Sequence, residues 1–253
     1  MVPTYNEKEN IPLMLKELDK VAGKLDKYNT LVVVIDDSSP DGTADAAKDV
    51  KMKNAVLKIS VGKKEGLGKA LIRGYKYAIG DLEADFVVSI DADFMFDPHD
   101  IVKLMKEIEG GYDVVLGSRH DEYGMKVDGW PMSRYLTHWI ANDFFGGLVA
   151  GNTVVKDHNA NFRAVRVKGI LDQINWDQLP TRGYGFLNYM IYEFEIVGAK
   201  FKEVKVEMKW REKGESKVSF NPKYIKTFVR DTKEYIWMCL KIRGMRIQKR
   251  ASY

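Results

Sequence analysis

Leu31-Val-Val-Val-Ile-Asp36-Asp37-Ser-Ser-Pro-Asp-Gly42-Thr43 is the stretch that decides the fold. Its unbroken apolar run has strand length, is rich in β-branched residues and shows no polar alternation. A strand of that kind is covered on both faces, as in a parallel sheet. The run stops at two aspartates and a cluster of turn and N-cap residues, and a short helix to about Val50 follows. The same unit recurs on either side. Val2–Thr4 reads as the end of a strand. Met1 stands immediately before it, as though the beginning of that strand were missing. Glu7 to about Lys24 carries Ile11, Leu15, Leu18, Val21 and Ala22 at helical spacing. Downstream, strands are expected at Ala55–Ser60, Phe86–Ile90 and Asp113–Gly117. Helices are expected at Gly66–Ile79, capped by Gly80, and at Asp100–Ile108, closed by Gly110 and Gly111. The sequence therefore implies an α/β fold, with a Rossmann-like, mostly parallel sheet and helices on both faces.

Composition sets the outer bounds. The chain of 253 residues is 45% apolar and 30% charged, as in a soluble globular domain. Its net charge of +4 excludes a generally polycationic nucleic-acid binder. The charge is uneven, however. From Lys200 onward there are 16 basic and 6 acidic residues, a net of +10 against −6 for the remainder. One cysteine, Cys239, excludes internal disulfides and points to a reducing, cytosol-facing location. The four histidines show no zinc-ligand spacing, and His99, after Pro98, reads as a helix start. No apolar run reaches the roughly 20 residues needed to cross a bilayer, and no signal peptide is visible.

After Ser118-Arg119 the pattern changes to a Trp- and Gly-rich loop, a helix from about Arg134 to Val149, and more mixed structure. Asn221 to about Arg243 reads as an amphipathic helix. Ile225, Phe228, Val229, Ile236 and Leu240 share one face, and Lys223, Lys226, Arg230, Lys233 and Lys241 occupy the rest. The reading divides the chain into a main α/β domain, 1–220, and a basic amphipathic tail, 221–253. Cys239 is expected to be half-buried there.

In doubly wound sheets ligands sit at the carboxyl ends of the strands, where the polar clusters of this sequence fall. Asp91-Ala92-Asp93 ends a buried strand and offers two carboxylates to a hard cation such as Mg²⁺ or Mn²⁺. A turn or cap role is the competing reading. Asp36-Asp37 ends another strand, where a carboxylate can accept hydrogen bonds from a base or ribose. Lys63-Lys64-Glu65-Gly66-Leu67-Gly68-Lys69 opens a helix and favours anions, although it is not a Walker loop. Arg119, Arg134, Arg211 and Lys217 are of types that suit phosphates. No nucleophile elbow is present.

These motifs, in their order, resemble family 2 glycosyltransferases, in particular the dolichol-phosphate mannosyltransferase type. The resemblance rests on Pro3-Thr-Tyr-Asn-Glu7, Val34–Thr43, Gly66–Ala70 with Arg73-Gly74, Asp91-Ala-Asp93 and Gly117-Ser-Arg119. Trp130, Arg134, Asn161-Phe-Arg163, Gly183-Tyr-Gly-Phe186, Arg211 and Gly214-Glu-Ser-Lys217 complete it. It covers nearly the whole chain. It implies a GT-A fold and inverting transfer of a sugar, mannose from GDP-mannose foremost, to dolichyl or another polyprenyl phosphate. It further implies that Pro3, Tyr5, Glu7 and Asp37 surround the nucleotide base, that Asp91 lies at the sugar-phosphate, and that Asp91 and Asp93 hold Mg²⁺ or Mn²⁺. Arg119 and Arg134, with Arg211 and Lys217, would gather the donor diphosphate and acceptor phosphate. The partners expected are a nucleotide-sugar donor, a polyprenyl phosphate acceptor, a membrane surface reached peripherally from the cytoplasmic side, and a separate membrane-anchoring subunit, with no nucleic acid. Another donor, a soluble acceptor, or a catalytically impaired nucleotide-sugar-binding homologue are the alternatives. The sequence departs from the family pattern at Met95 for a common Gln, Phe96 for His, Asn159-Ala-Asn161 for Thr-Ser-Gly, and Tyr189 for Glu.

Overall fold

A computed structural model describes residues 1–121, 124–125, 127, 129–179, 185–208 and 225–251, without the side chains of 121, 124, 225–228, 250 and 251. Strands β1 (Val2–Thr4), β2 (Leu31–Asp36) and β3 (Val56–Val61) pair in parallel, with Val2 opposite Val34 and Asp36 opposite Val61. Four more strands, β4 (Phe86–Ser89), β5 (Val114–Ser118), β8 (Arg163–Arg166) and β9 (Phe201–Lys205), are ordered β4-β8-β5-β9. Two backbone hydrogen bonds join the two sets, from the Met1 amino group to Val88 O (2.7 Å) and from Ile90 N to Met1 O (3.2 Å). A two-stranded ribbon, β6 (His120–Asp121) and β7 (Gly124–Met125), follows β5.

The expected two-sided burial is visible residue by residue. On β2, Val32 and Val34 enter one apolar cluster, while Val33 and Ile35 enter another with Ala70. On β5, Val114 and Leu116 face one side and Val115 the other. Helices α1 (Ile11–Lys24), α2 (Thr43–Lys48) and α4 (Ile101–Glu109) cover one face, and α3 (Leu67–Gly80) and α6 (Gly185–Ile196) the other.

Three boundaries differ from the sequence reading. Gly80 is the last residue of α3 rather than its cap, which is Asp81. The helix expected at Arg134–Val149 is α5 (Met132–Trp139) continued by a π-helix, Ile140–Val149. Strand β8, which the sequence left as mixed structure, inserts antiparallel between β4 and β5.

The tail helix α7 (Ile225–Ala251) buries Tyr235, Met238, Cys239 and Ile242 in the body's core. The Tyr235 hydroxyl donates to Ala141 O (2.8 Å) and accepts from Asn188 Nδ2 (3.1 Å), tying α7 to the π-helix and to α6. Cys239 is fully buried rather than half-buried, and burial pushes its thiol up to about 12. The stripe read from the sequence is a different face: Val229 and Leu240 stay exposed, and Trp237 and Ile247 with them.

Candidate active site

The carboxyl ends of β1, β2, β4 and β5 lie along one edge of the sheet, each followed by a short polar loop. Three of these loops carry a non-glycine residue in the left-handed region: Asn6 (φ 56°), Ser38 (φ 51°) and Phe94 (φ 58°). Each such residue costs about 1–3 kcal/mol, and strain of this kind gathers at functional sites.

At the end of β2, Asp36 is buried and fixes the loop. Its Oδ1 accepts from Thr4 Oγ1 (3.0 Å) and Ser39 Oγ (2.6 Å), and its Oδ2 from Ser39 N (2.9 Å). Asp37 instead meets Arg73, whose Nη2 donates to Asp37 Oδ1 (2.9 Å) and to Asp36 O (3.1 Å). The two neighbouring aspartates are thus divided between loop structure and an ion pair with α3. Pro3 lies on β1 opposite Ile35. The Tyr5 ring, half-buried, carries the Lys64 ammonium 3.7 Å from its centroid, which brings the Lys63-Lys64 loop to the end of β1. Glu7 accepts from Asn10 Nδ2 (2.8 Å) just ahead of α1. Four of the residues expected around the base therefore stand at the ends of β1 and β2.

At the end of β4, Asn161 Nδ2 donates to Asp91 Oδ1 (2.8 Å), and Met95 N donates to Asp93 Oδ1 (3.1 Å). Asn161 is itself held through its backbone, its carbonyl accepting from Ser89 Oγ (2.6 Å). Its buried Oδ1 has no partner. Two oriented carboxylates two residues apart are hard donors and fit Mg²⁺ or Mn²⁺ when phosphate oxygens complete the shell. Met95 adds no hard ligand, and Asp97 serves as a cap, accepting from His99 N (2.9 Å) at the helix start expected there.

At the end of β5, Gly117 packs so closely on Phe162 that a Cβ would run into the ring. The next residues deliver Arg119, only 9% exposed, to a partner that the sequence did not reveal. Asp157 Oδ2 accepts from Arg119 Nε (2.6 Å) and backbone N (3.1 Å), and Oδ1 accepts from Nη2 (2.5 Å). Burial alone would raise the Asp157 carboxyl, but the Arg119 guanidinium overcomes this and holds it far below the usual range. Arg119 is therefore half of a neutral pair and keeps only part of its donor fork for a phosphate. Arg134, on α5, lies over the Trp130 ring with its guanidinium carbon 5.1 Å from the centroid. Arg211 and Lys217 lie outside the described residues.

Sequence reasoning missed Asp157, the Asn161–Asp91 hydrogen bond and the Arg73–Asp37 pair. Arg73 and Asn161 had a signal, in the Arg73-Gly74 and Asn161-Phe-Arg163 motifs, and Asp157 had none.

A sheet carrying acidic loops at its carboxyl edge, with an antiparallel strand between two parallel ones, is the GT-A class of sugar-transferring fold. Solved structures agree. The mannosyl-3-phosphoglycerate synthase of Rubrobacter xylanophilus matches all of this chain and 74% of its own, with a TM-score of 0.59 at 16% identity. A mannosyltransferase from Pyrobaculum calidifontis, solved with GDP-Man and Mn²⁺, matches 99% of this chain and 74% of its own, with a TM-score of 0.52 at 16% identity. The sequence profile of Glycosyl transferase family 2 matches residues 1–172, and the chain belongs to that family. An undecaprenyl-phosphate mannosyltransferase of Micrococcus luteus is 34% identical over 220 residues, 87% of this chain and 86% of its own. A dolichol-phosphate mannosyltransferase of Pyrococcus furiosus is 34% identical over 226 residues, 86% of this chain and 58% of its own.

Proposed function

We propose that this glycosyltransferase moves mannose, with inversion, from a guanosine diphosphate sugar to a polyprenyl phosphate. The observation that carries the reading is the pair of oriented carboxylates, Asp91 and Asp93, at the edge that also presents Tyr5, Asp37, Arg119 and Arg134. The two 34%-identical relatives support the same donor group and acceptor class.

In this reading a phosphate oxygen of the acceptor attacks the anomeric carbon, the bond from that carbon to the diphosphate oxygen breaks, and nucleoside diphosphate leaves. The attacking oxygen is already ionised at neutral pH, so the site needs charge neutralisation and alignment more than a strong base. Asp91 and Asp93 would hold Mg²⁺ or Mn²⁺, which supplies positive charge to offset the diphosphate. Pro3, Tyr5, Glu7 and Asp37 line the base end. Arg134, held over Trp130, and the remaining donors of Arg119 serve the phosphates, with Arg211 and Lys217 assigned to the same task from sequence.

The acceptor would be met at a membrane surface. No described helix is long and apolar enough to cross a membrane. Met132, Leu136, Ile140, Phe144 and Leu148 recur every fourth residue through α5 and the π-helix, and all are exposed, Met132 at 82%. Together with Val229, Trp237, Leu240 and Ile247 of α7, this is the apolar surface of an interfacial protein, set in a basic carboxyl-terminal segment. This surface supports peripheral attachment; the cytoplasmic side and an anchoring subunit are part of the same proposal from sequence.

The test is a transfer assay with radiolabelled GDP-mannose and polyprenyl phosphate in anionic liposomes, with Mg²⁺ or Mn²⁺ and with chelator. Metal-dependent, organic-extractable mannosyl phosphate is expected. Transfer only to water-soluble acceptors, or only from a different nucleotide sugar, would overturn the reading.

A further inference from the structure

His120, on β6, and His138, on α5, lie beside the Arg119–Asp157 pair and have no part in the reaction described. Their Nε2 atoms are 3.3 Å apart. An Asp157 oxygen completes a trio of donor atoms that all lie within 4.8 Å of one another. Strand β6, helix α5 and the loop before β8 thus bring two imidazoles and a carboxylate to one point.

The spacing fits a shared metal. Two nitrogens bound to tetrahedral zinc at about 2.0–2.1 Å are separated by roughly 3.3–3.4 Å. We propose that His120, His138 and Asp157 form a binding site for one borderline-soft divalent cation, zinc or cobalt, distinct from the Asp91–Asp93 carboxylates.

The donor chemistry separates the two sites. Imidazole nitrogens select zinc, cobalt, nickel and copper, whereas Mg²⁺ and Mn²⁺ prefer oxygen. The His138 ring is half-buried, and desolvation lowers its pKa, with the Arg119 charge acting in the same direction. Its orientation is fixed by the Trp130 ring, which meets it edge to face with centroids 5.8 Å apart. Asp157 is fixed more firmly still. Its Oδ2 accepts two hydrogen bonds from Arg119, while Oδ1 accepts one and keeps a lone pair for a metal. Arg119 is then the outer partner that orients a ligating carboxylate. Because Arg119 and Asp157 cancel in charge, the imidazoles supply most of the affinity, and three protein ligands leave a fourth tetrahedral position open. Occupancy would tie β6 to α5, the element that begins the exposed apolar stripe.

The experiment uses the whole chain, stripped with chelator, returned to excess Mg²⁺ and titrated with Co²⁺. Visible absorption reports tetrahedral coordination. One equivalent of Co²⁺ with intense visible bands, displaced by Zn²⁺, is expected. His120→Ala and His138→Ala should each weaken binding by at least about tenfold, and Asp93→Ala should leave the spectrum as it is. His120 is itself half-buried, on a two-residue strand, so His120→Ala decides the matter if His138→Ala fails to fold. Absence of the bands, their persistence in His120→Ala, or their loss in Asp93→Ala would overturn the proposal.

Discussion

The Asp91–Asp93 turn and the Arg119–Asp157 pair stand at the same edge of the sheet, and they are built in opposite ways. In the first, the two acids are two residues apart, and the local chain supplies part of their support, as with Met95 N to Asp93 (3.1 Å). In the second, an arginine meets an aspartate 38 residues away, and both are almost wholly out of water. The first sets two carboxylates close together at a strand end, and the second removes most of an arginine's charge from use. A carboxylate or guanidinium at a strand end therefore does not carry the same meaning at each position.

The largest expected effect lies in the second region and falls on stability. Asp157→Ala leaves the Arg119 guanidinium buried without its carboxylate, which costs about 3–5 kcal/mol. Denaturant unfolding should show that loss, and a loss under about 1 kcal/mol would mean that the pair is solvated. The pair also sets a pH window. The Asp157 carboxyl lies below its ordinary 3.8 when folded. Its contribution is therefore fully present above that value and is lost as pH falls further. His138 acts in a higher window. The unfolded imidazole takes a proton below about 6.5, and the folded one only near 3. Stability therefore declines on acidification from 6.5, and His138→Gln should flatten that part of the curve.

The matching change in the first region falls on turnover rather than on stability. Asp93→Ala should lower kcat by at least about 100-fold, the scale on which removal of one electrostatic partner of a transition state is felt. Its melting temperature should fall by less than that of Asp157→Ala, because Met95 N, one partner of Asp93, is a neutral amide that can turn to water. Near-parental turnover with metal present would remove the carboxylates from the mechanism.

How far each region was legible follows from the same contrast. Leu31–Ile35 announced a strand buried on both faces because every one of its residues is apolar, and the structure divides Val32–Ile35 between two clusters as the pleat requires. Strand β8 was hidden because Arg163 stands at its start. That side chain is fully buried, and its guanidinium is satisfied by the carbonyls of Ala160 and Leu187 rather than by a carboxylate. Hydrophobic periodicity cannot show a buried charge of that kind. Asp157 was hidden for a related reason: in Val155-Lys-Asp-His-Asn159 it looks like a solvated turn, and only its distant partner makes it core.

Asn161 lies between the two cases, since its sequence position was noticed but its contact was not. It holds Asp91 through a hydrogen bond to a charged acceptor, a type worth about 1.5–3 kcal/mol. Asn161→Ala should lower kcat by roughly tenfold while changing the donor's KM little, because the bond acts on orientation at the reacting end. An equal loss in Asn161→Asp would support this, since a second carboxylate would repel Asp91 instead of holding it. Parental kcat in both variants would reduce Asn161 to a packing residue.

The smallest stability effect, and the sharpest contrast with Asp157, belongs to the exposed stripe. Leu136 and Leu148 are 57% and 69% exposed, so Leu136→Ser with Leu148→Ser should change unfolding free energy by no more than about 0.5 kcal/mol per site. Burying such side chains at a bilayer would instead gain about 0.8 kcal/mol for each CH₂ removed from water. The double variant should therefore keep its fold and its turnover of a water-soluble acceptor analogue, yet sediment much less with anionic liposomes. Parental sedimentation would shift the membrane contact to α7, where Trp237, Leu240 and Ile247 form the other exposed apolar face. Loss of sedimentation in high salt alone would assign it to the basic residues around them.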